Sequence, residues 1–269
     1  MIVRVNLIQL ALIVLPIVTA AQSKQFVTSA RSGDSVRQAR TDATSLEKTA
    51  QPTEPVSDQK ADIASGSVHT LPLFGERPKT AAQIGDEVHF LNDCDRNFGS
   101  RTEASTFFAE RGWDYVKNGQ LDTAAYRFNL SWLLNDRNTD AYWGLGVVCY
   151  QKNQFPDAIR MLKKGLAVAD SNVTLLTDLA TVEIKQYQEN PKEPMMLVDA
   201  ESHLQRAVGM NPTDALSFQK LSTVYYLKAD YAKAWEYLHQ TRLLDPSVLD
   251  LDYLGQLMTK QPDPQKVFK

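Results

Sequence analysis

The pattern of apolar and polar residues divides the chain into three parts. An apolar run covers residues 7–20, broken by Gln9 and Thr19. Residues 22–70 are dominated by Ser, Thr, Ala, Gln, Asp and Lys, with Phe26 as their one aromatic residue. Such a segment buries too little apolar surface to offset the entropy of ordering it. We therefore predict a disordered polar linker at 22–70 and a folded part that begins near residue 71, where apolar residues return periodically.

The first apolar run has the form of an export signal. Arg4 precedes it, and its 14 residues fall short of the roughly 20 that a bilayer-spanning helix needs. Small residues at 18–20 and 19–21 fit a cleavage site. We predict a signal peptide at residues 1–21, an exported protein that is periplasmic or secreted, and no stable membrane span after cleavage. The alternatives are a buried core helix or an uncleaved anchor.

A short helix is predicted in the segment at residues 71–104. Thr80 can cap its first turn and Gln83 follows at capping-box spacing. Ile84, Val88 and Leu91 then form an apolar stripe. The pattern predicts a helix from Thr80 to about Cys94 that packs through this stripe against the following residues.

From residue 105 onward, residues of the same kind recur 34 positions apart. The pairs are Gly112 and Gly146, Ala124 and Ala158, Ala200 and Ala234, Leu204 and Leu238, and Pro212 and Pro246. Between Ala158 and Ala200 the step is 42, which indicates eight inserted residues. Two prolines at residues 188–195 predict that the insertion is a loop there.

This pattern resembles the tetratricopeptide repeat (TPR) family, whose 34-residue unit has bulky, small and aromatic residues at fixed positions. The matching units are 105–138, 139–172, 173–214 and 215–246, and the stretch also resembles small exported bacterial TPR proteins. Arg111, Cys149 and Glu183 depart from the family's pattern at positions 7 and 11. The resemblance implies an all-α solenoid of about four helix-turn-helix units.

Stacked repeats need a final helix with a polar outer side. Val248, Leu251, Leu254 and Leu257 recur every three residues, so we predict a capping helix at residues 247–258. The polar end of the segment 247–269 is expected to fray.

By resemblance, a concave face lined by the first helix of each unit binds the partner. The predicted partner-binding residues are Trp113, Lys117, Trp143, Tyr150, Lys185 and Tyr226. Aromatic residues in such a groove suit peptide recognition. Two alternatives remain: the aromatic residues pack between helices, or the groove is filled by the mature N-terminal tail or by residues 71–74. The family's Lys and Asn clamp for a C-terminal carboxylate is replaced by Ala109 and Trp113, then by Trp143 and Val147, which disfavours chaperone tails.

The net charge and the motifs present in the sequence exclude several classes of function. With 29 basic and 32 acidic side chains the net charge is −3, which argues against nucleic-acid binding. The four histidines are scattered, and the sequence has no phosphate-binding or nucleophile motif. We therefore expect a protein that is not an enzyme and binds no metal and no cofactor. We expect an exported protein-interaction module that binds a protein or peptide. The alternatives are an accessory subunit of an envelope enzyme or assembly complex, and a structural solenoid that fills its own groove.

Cys94 and Cys149 allow two interpretations. In an oxidising compartment the two could form a disulfide. Alternatively, Cys149 fills the aromatic position 11 as a small buried apolar residue.

Overall fold

A computed structural model describes residues 67–269. The predicted signal peptide and almost all of the predicted linker lie outside the described residues. The described part contains ten α-helices and no β-strand, in agreement with the all-α prediction.

Eight of the ten helices form four consecutive pairs. The helices are α1 (Ala81–Asn97), α2 (Arg101–Lys117), α3 (Leu121–Leu134), α4 (Thr139–Gln151), α5 (Phe155–Val168), α6 (Val173–Glu189), α7 (Met195–Met210), α8 (Ala215–Leu227), α9 (Tyr231–Leu244) and α10 (Leu251–Lys260). The pairs α2/α3, α4/α5, α6/α7 and α8/α9 coincide with the four sequence repeats. Adjacent pairs contact each other, and the first helices α2 and α4, like α6 and α8, also touch. This stacking buries the apolar faces of neighbouring pairs against each other, in three clusters along the solenoid.

Three of the pairs share one turn geometry. Gly119, Asn153 and Ala229 have φ angles of 71°, 58° and 60°. The amide after each donates to the carbonyl five residues earlier, as in Gln120 to Tyr115 at 2.9 Å. This Schellman arrangement satisfies carbonyls at the helix end and sets the angle at which the second helix returns.

Small residues let the paired helices approach closely. A Cβ atom at Gly112 would lie 2.7 Å from the Phe128 ring, and one at Gly146 would lie 2.7 Å from Leu162. Phe128 and Leu162 are completely buried. The 34-residue recurrence of glycine at position 8 therefore reflects close packing against the large residue at position 24.

The insertion in the third repeat is mostly helical, which corrects the prediction of a loop at residues 188–195. Compared with the neighbouring repeats, α6 is four residues longer than α4, and α7 is two residues longer than α5. The turn between them is five residues, 190–194, instead of three. Both prolines lie in this turn, so they mark its position but not the extent of the insertion.

Helix α1 begins as predicted but packs through a different face. The hydrogen bonds of the Thr80–Gln83 capping box are both present, at 2.9 and 3.2 Å. Ile84 and Val88 of the predicted packing stripe are 50% and 51% exposed, so that prediction is wrong for both. The helix instead packs through Phe90, whose ring lies 5.3 Å from that of Phe108, and through Cys94.

The C-terminal cap is shorter than predicted, and the tail is ordered. A 3₁₀ turn, Pro246–Val248, precedes α10, and Leu251 is 71% exposed. The predicted fraying is wrong, because buried Asp263 accepts four hydrogen bonds. They come from His239 Nε2 and from the amides of residues 265, 267 and 268. Phe268 stacks on Trp235 at 6.1 Å and so holds the tail on α9.

A segment before α1, residues 67–76 and hereafter the strap, lies along second helices. The Asn129 side chain of α3 accepts from the Leu73 amide and donates to the carbonyls of His69 and Leu71, each at 2.8 Å. Glu76 pairs with Arg160 and with Lys164 of α5, and these contacts lower the pKa of its carboxyl group. The strap therefore ties the first repeat to the second.

Candidate partner-binding face

The side of the solenoid formed by α2, α4, α6 and α8, hereafter the inner face, carries the six residues predicted to bind a partner. Trp143 and Tyr150 are only 7% and 8% exposed. Trp113 and Tyr226 are half-buried and Lys117 is exposed. Trp143 and Tyr150 therefore belong mainly to the core, as expected if the aromatic residues pack between helices.

Trp143 is fixed from both sides. Its ring meets Trp113 edge to face at 5.4 Å, and its indole Nε1 donates to Asp178 Oδ2 at 2.7 Å. Asp178 lies on α6 and is buried. Trp143 thus couples three consecutive first helices and leaves the flank of Trp113 as the surface available to a ligand.

The remaining predicted residues occupy the end and edge of the inner face. Tyr226 packs against Tyr231 and Tyr253 at 5.7 and 5.5 Å. Lys185 forms an ion pair with Glu189 at 2.8 Å, and Lys117 lies 3.5 Å from Asp114. The two lysines are neutralised along their own helices, so they contribute little net charge to the face.

The resemblance placed Thr177 and Gln219 on this face, but the predicted partner-binding residues did not include these polar side chains. Gln219 of α8 is only 3% exposed, and its Oε1 has no hydrogen-bond partner in the described part of the chain. The Thr177 hydroxyl lies 2.7 Å from that of Ser217 and links α6 to α8. Gln219 stands at position 5, which the resemblance already assigned to this face, so its position was the available signal.

Cys94 and Cys149 are free thiols in two different apolar clusters. This corrects the disulfide hypothesis and supports the alternative, in which Cys149 fills position 11 as a buried apolar side chain. Burial raises the pKa of Cys94 to about 11 and that of Cys149 to about 12. Both thiols are therefore protonated and unreactive at neutral pH.

The strap leaves the inner face free of residues 71–74. Leu73 and Phe74 are 3% and 8% exposed, but the strap packs on α3 and pairs with α5, which are second helices. The hypothesis that residues 71–74 fill the groove is therefore wrong, because their polar anchors lie on the opposite helices.

Two properties of residues 67–269 bear on other functions. These residues contain no group of three or more His, Cys, Asp or Glu side chains arranged to hold a metal ion. None of their helices combines the length and apolarity required to cross a membrane.

Comparison with known proteins identifies similar folds. No family model matches the sequence, and no curated protein matches it. PilF of Pseudomonas aeruginosa superposes with a TM-score of 0.52 at 22% identity, over 61% of this chain and 74% of that chain. TTC0263, a TPR protein of Thermus thermophilus, superposes with a TM-score of 0.50 at 19% identity, over 61% of this chain and 93% of that chain. A chain of the Cut9–Hcn1 hetero-tetramer of the APC/C superposes with a TM-score of 0.50 at 17% identity, over 67% of this chain and 34% of that chain.

Proposed function

Because the chain has the tetratricopeptide-repeat fold, we propose that it is a non-enzymatic scaffold that binds a protein or peptide on its inner face. The observation that carries this proposal is a set of partly exposed side chains on three of the four first helices. Trp113 belongs to α2, Thr181 to α6, and Thr223 and Tyr226 to α8. A face built from rigid helices presents such groups at little entropic cost on binding.

The proposed partner is a polypeptide, since the inner face combines aromatic surface with side-chain hydroxyl groups. Trp113 and Tyr226 offer ring surface. The Thr181 and Thr223 hydroxyl groups donate to the carbonyls of Thr177 and Gln219, so they offer a ligand acceptor oxygens. Among similar structures, the Cut9–Hcn1 chain belongs to a hetero-tetramer, which agrees with an assembly role.

Site-specific photo-crosslinking tests this proposal. A benzoylphenylalanine residue is placed at Lys117, Thr181 or Thr223 of the full chain and irradiated in cells of the native source. Matched controls carry it at exposed positions of second helices, Ala167, Gln205 and Glu236. We expect the same partner, identified by mass spectrometry, from the three inner positions and not from the controls. Equal adducts from both sets, or adducts from the controls alone, would contradict the inner face as the binding site.

We also propose that the protein acts after export. The support is the apolar run at residues 7–20 followed by small residues at 18–21. The mass of the mature protein tests this directly. We expect an N-terminus at residue 21 or 22, and an intact Met1 on the cellular protein would contradict cleavage.

A further inference from the structure

A cavity of about 300 Å³ lies between the strap, α1 and α3, away from the inner face. Its volume is at the lower end of the range for sites that hold small ligands. Four rings border it: His69 and Phe74 from the strap, Phe90 from α1 and Tyr126 from α3. His69 meets Tyr126 and Phe74 edge to face, with centroids 5.2 and 6.1 Å apart. Rings from three elements therefore converge on one space.

The cavity already accommodates one cation, supplied by the chain itself. The Lys79 ammonium lies 5.8 Å from the centre of the Phe74 ring and 2.6 Å from the Glu87 carboxylate. An ammonium group held by a ring and a carboxylate is the usual arrangement of a cation–π site. Lys79 thus shows which charge this combination of groups accepts.

A second carboxylate borders the same space without a cation of its own. Asp86 has no ion pair in the described part of the chain, and it lies one residue before Glu87. Asp86 and Tyr126 both border the cavity. Burial raises the pKa of the Tyr126 hydroxyl, and the negative charge of Asp86 raises it further. Arg77 also borders the cavity, so the net charge of the lining is balanced.

We propose that this cavity binds the side chain of a lysine from a partner polypeptide. The alkyl part of the lysine would lie on Phe74, Phe90 and Tyr126, and its ammonium would face Asp86. Lys79 occupies the equivalent arrangement with Phe74 and Glu87. The site lies between the strap, α1 and the second helix α3, and it does not depend on the inner face being a binding site.

A nuclear magnetic resonance titration of the full chain, followed at the rings that border the cavity, tests the proposal. The probe is N-acetyl-lysine methylamide, and the norleucine analogue is its neutral match. We expect saturable shifts of Phe74, Phe90 and Tyr126 resonances with the lysine probe, and binding at least about fivefold weaker with the norleucine probe. Choline serves as a second cation, and preference for choline over the lysine probe would overturn the assignment to a polypeptide side chain.

Three substitutions of charged residues outside the apolar clusters separate the effects of single charges on binding. Asp86→Asn should weaken lysine binding about three- to tenfold, whereas Asp93→Asn on the same helix should leave it unchanged. Lys79→Met should strengthen binding because it frees Phe74 and Glu87. Equal binding of both amide probes, no saturable shift, or weaker binding by the Lys79→Met variant would each overturn the proposal.

Discussion

At the scale of single residues, departures from the repeat pattern have local partners. Glu183 stands where the family has an aromatic residue at position 11, and it is completely buried. Its carboxylate lies 2.9 Å from His203 Nδ1 and 3.5 Å from the Lys163 ammonium. The charge is therefore compensated by residues from α7 and α5. This departure could be found in the sequence, but its partners could not, because neither occupies a position with a repeat signature.

The left-handed turn residue offers a test of backbone strain. Ala229 adopts a φ of 60° where Gly119 has 71° in the first repeat. A residue with a Cβ loses about 1 kcal/mol in this conformation. We expect Ala229→Gly to raise the free energy of unfolding by about 0.5–1 kcal/mol and Gly119→Ala to lower it by a similar amount, measured by urea denaturation. The same sign for both substitutions would contradict the strain argument.

Close packing at Gly144 predicts a larger loss of stability for the same glycine-to-alanine substitution. A Cβ at this position would lie 2.1 Å from the Phe128 ring, which has no room to move because it also packs on Gly112. Gly144→Ala should destabilise by about 2 kcal/mol, since overpacking of about 3 kcal/mol exceeds the gain in helix propensity of about 1 kcal/mol.

The matched control for Gly144 is Gly209 in α7, where a Cβ would meet no atom within 4 Å. Gly209→Ala should be neutral or stabilising by about 0.5 kcal/mol. In a variant that already carries Phe128→Leu, Gly144→Ala should lower the free energy of unfolding by less than it does in the wild type. Additive effects of these two substitutions would show that the clash with the ring is not the cause.

At the scale of elements, the two ends of the solenoid differ from their predicted form for the same reason. Residues 71–104 and 247–269 have no repeat partner in the sequence, so their apolar spacing alone had to predict their packing. The spacing predicted α1 and α10 but only part of their buried faces: Leu254 and Leu257 are buried, whereas Ile84 and Leu251 are exposed. The deciding contacts are polar and distant in sequence, such as Asn129 with Leu73 and His239 with Asp263.

The ordered C-terminal tail makes stability depend on pH. Burial alone would raise the pKa of Asp263, but hydrogen bonds from the Phe268 and Gln265 amides, from His239 and from the Val267 amide outweigh it and lower the pKa below 3.8. A carboxylate with a lowered pKa contributes stability above pH 3.8 that is lost as the pH falls through its folded-state pKa.

We expect Asp263→Asn to destabilise by about 2 kcal/mol at pH 7, because charge-assisted hydrogen bonds from three part-buried backbone amides to the buried carboxylate are weakened. The difference in the free energy of unfolding between this variant and the wild type should become smaller below pH 3.8. Glu236→Gln, at an exposed position of α9, is the control and should follow the wild type at both pH values. A difference that is independent of pH would contradict the role of the Asp263 charge.

At the scale of the whole molecule, the repetitive architecture was predictable and the connections between its parts were not. The 34-residue spacing located four helix pairs because each repeat makes the same contacts with its neighbours. The inner face followed from the same register, although Trp143 and Tyr150 proved largely buried. The strap could not be predicted, because Asn129 and Arg160 bind it at single positions that the other repeats do not reproduce.

The strap also determines where a mechanical load would enter the molecule. It is anchored on α3 and α5, whereas the chain continues from residue 77 through α1 into α2. Tension applied at residue 67 would be borne first by the Asn129 hydrogen bonds and the Glu76 ion pairs. As long as these contacts hold, residues 77–100, which include α1, carry none of the applied force. A pull on the N-terminal side is then transferred directly to the second helices of two repeats.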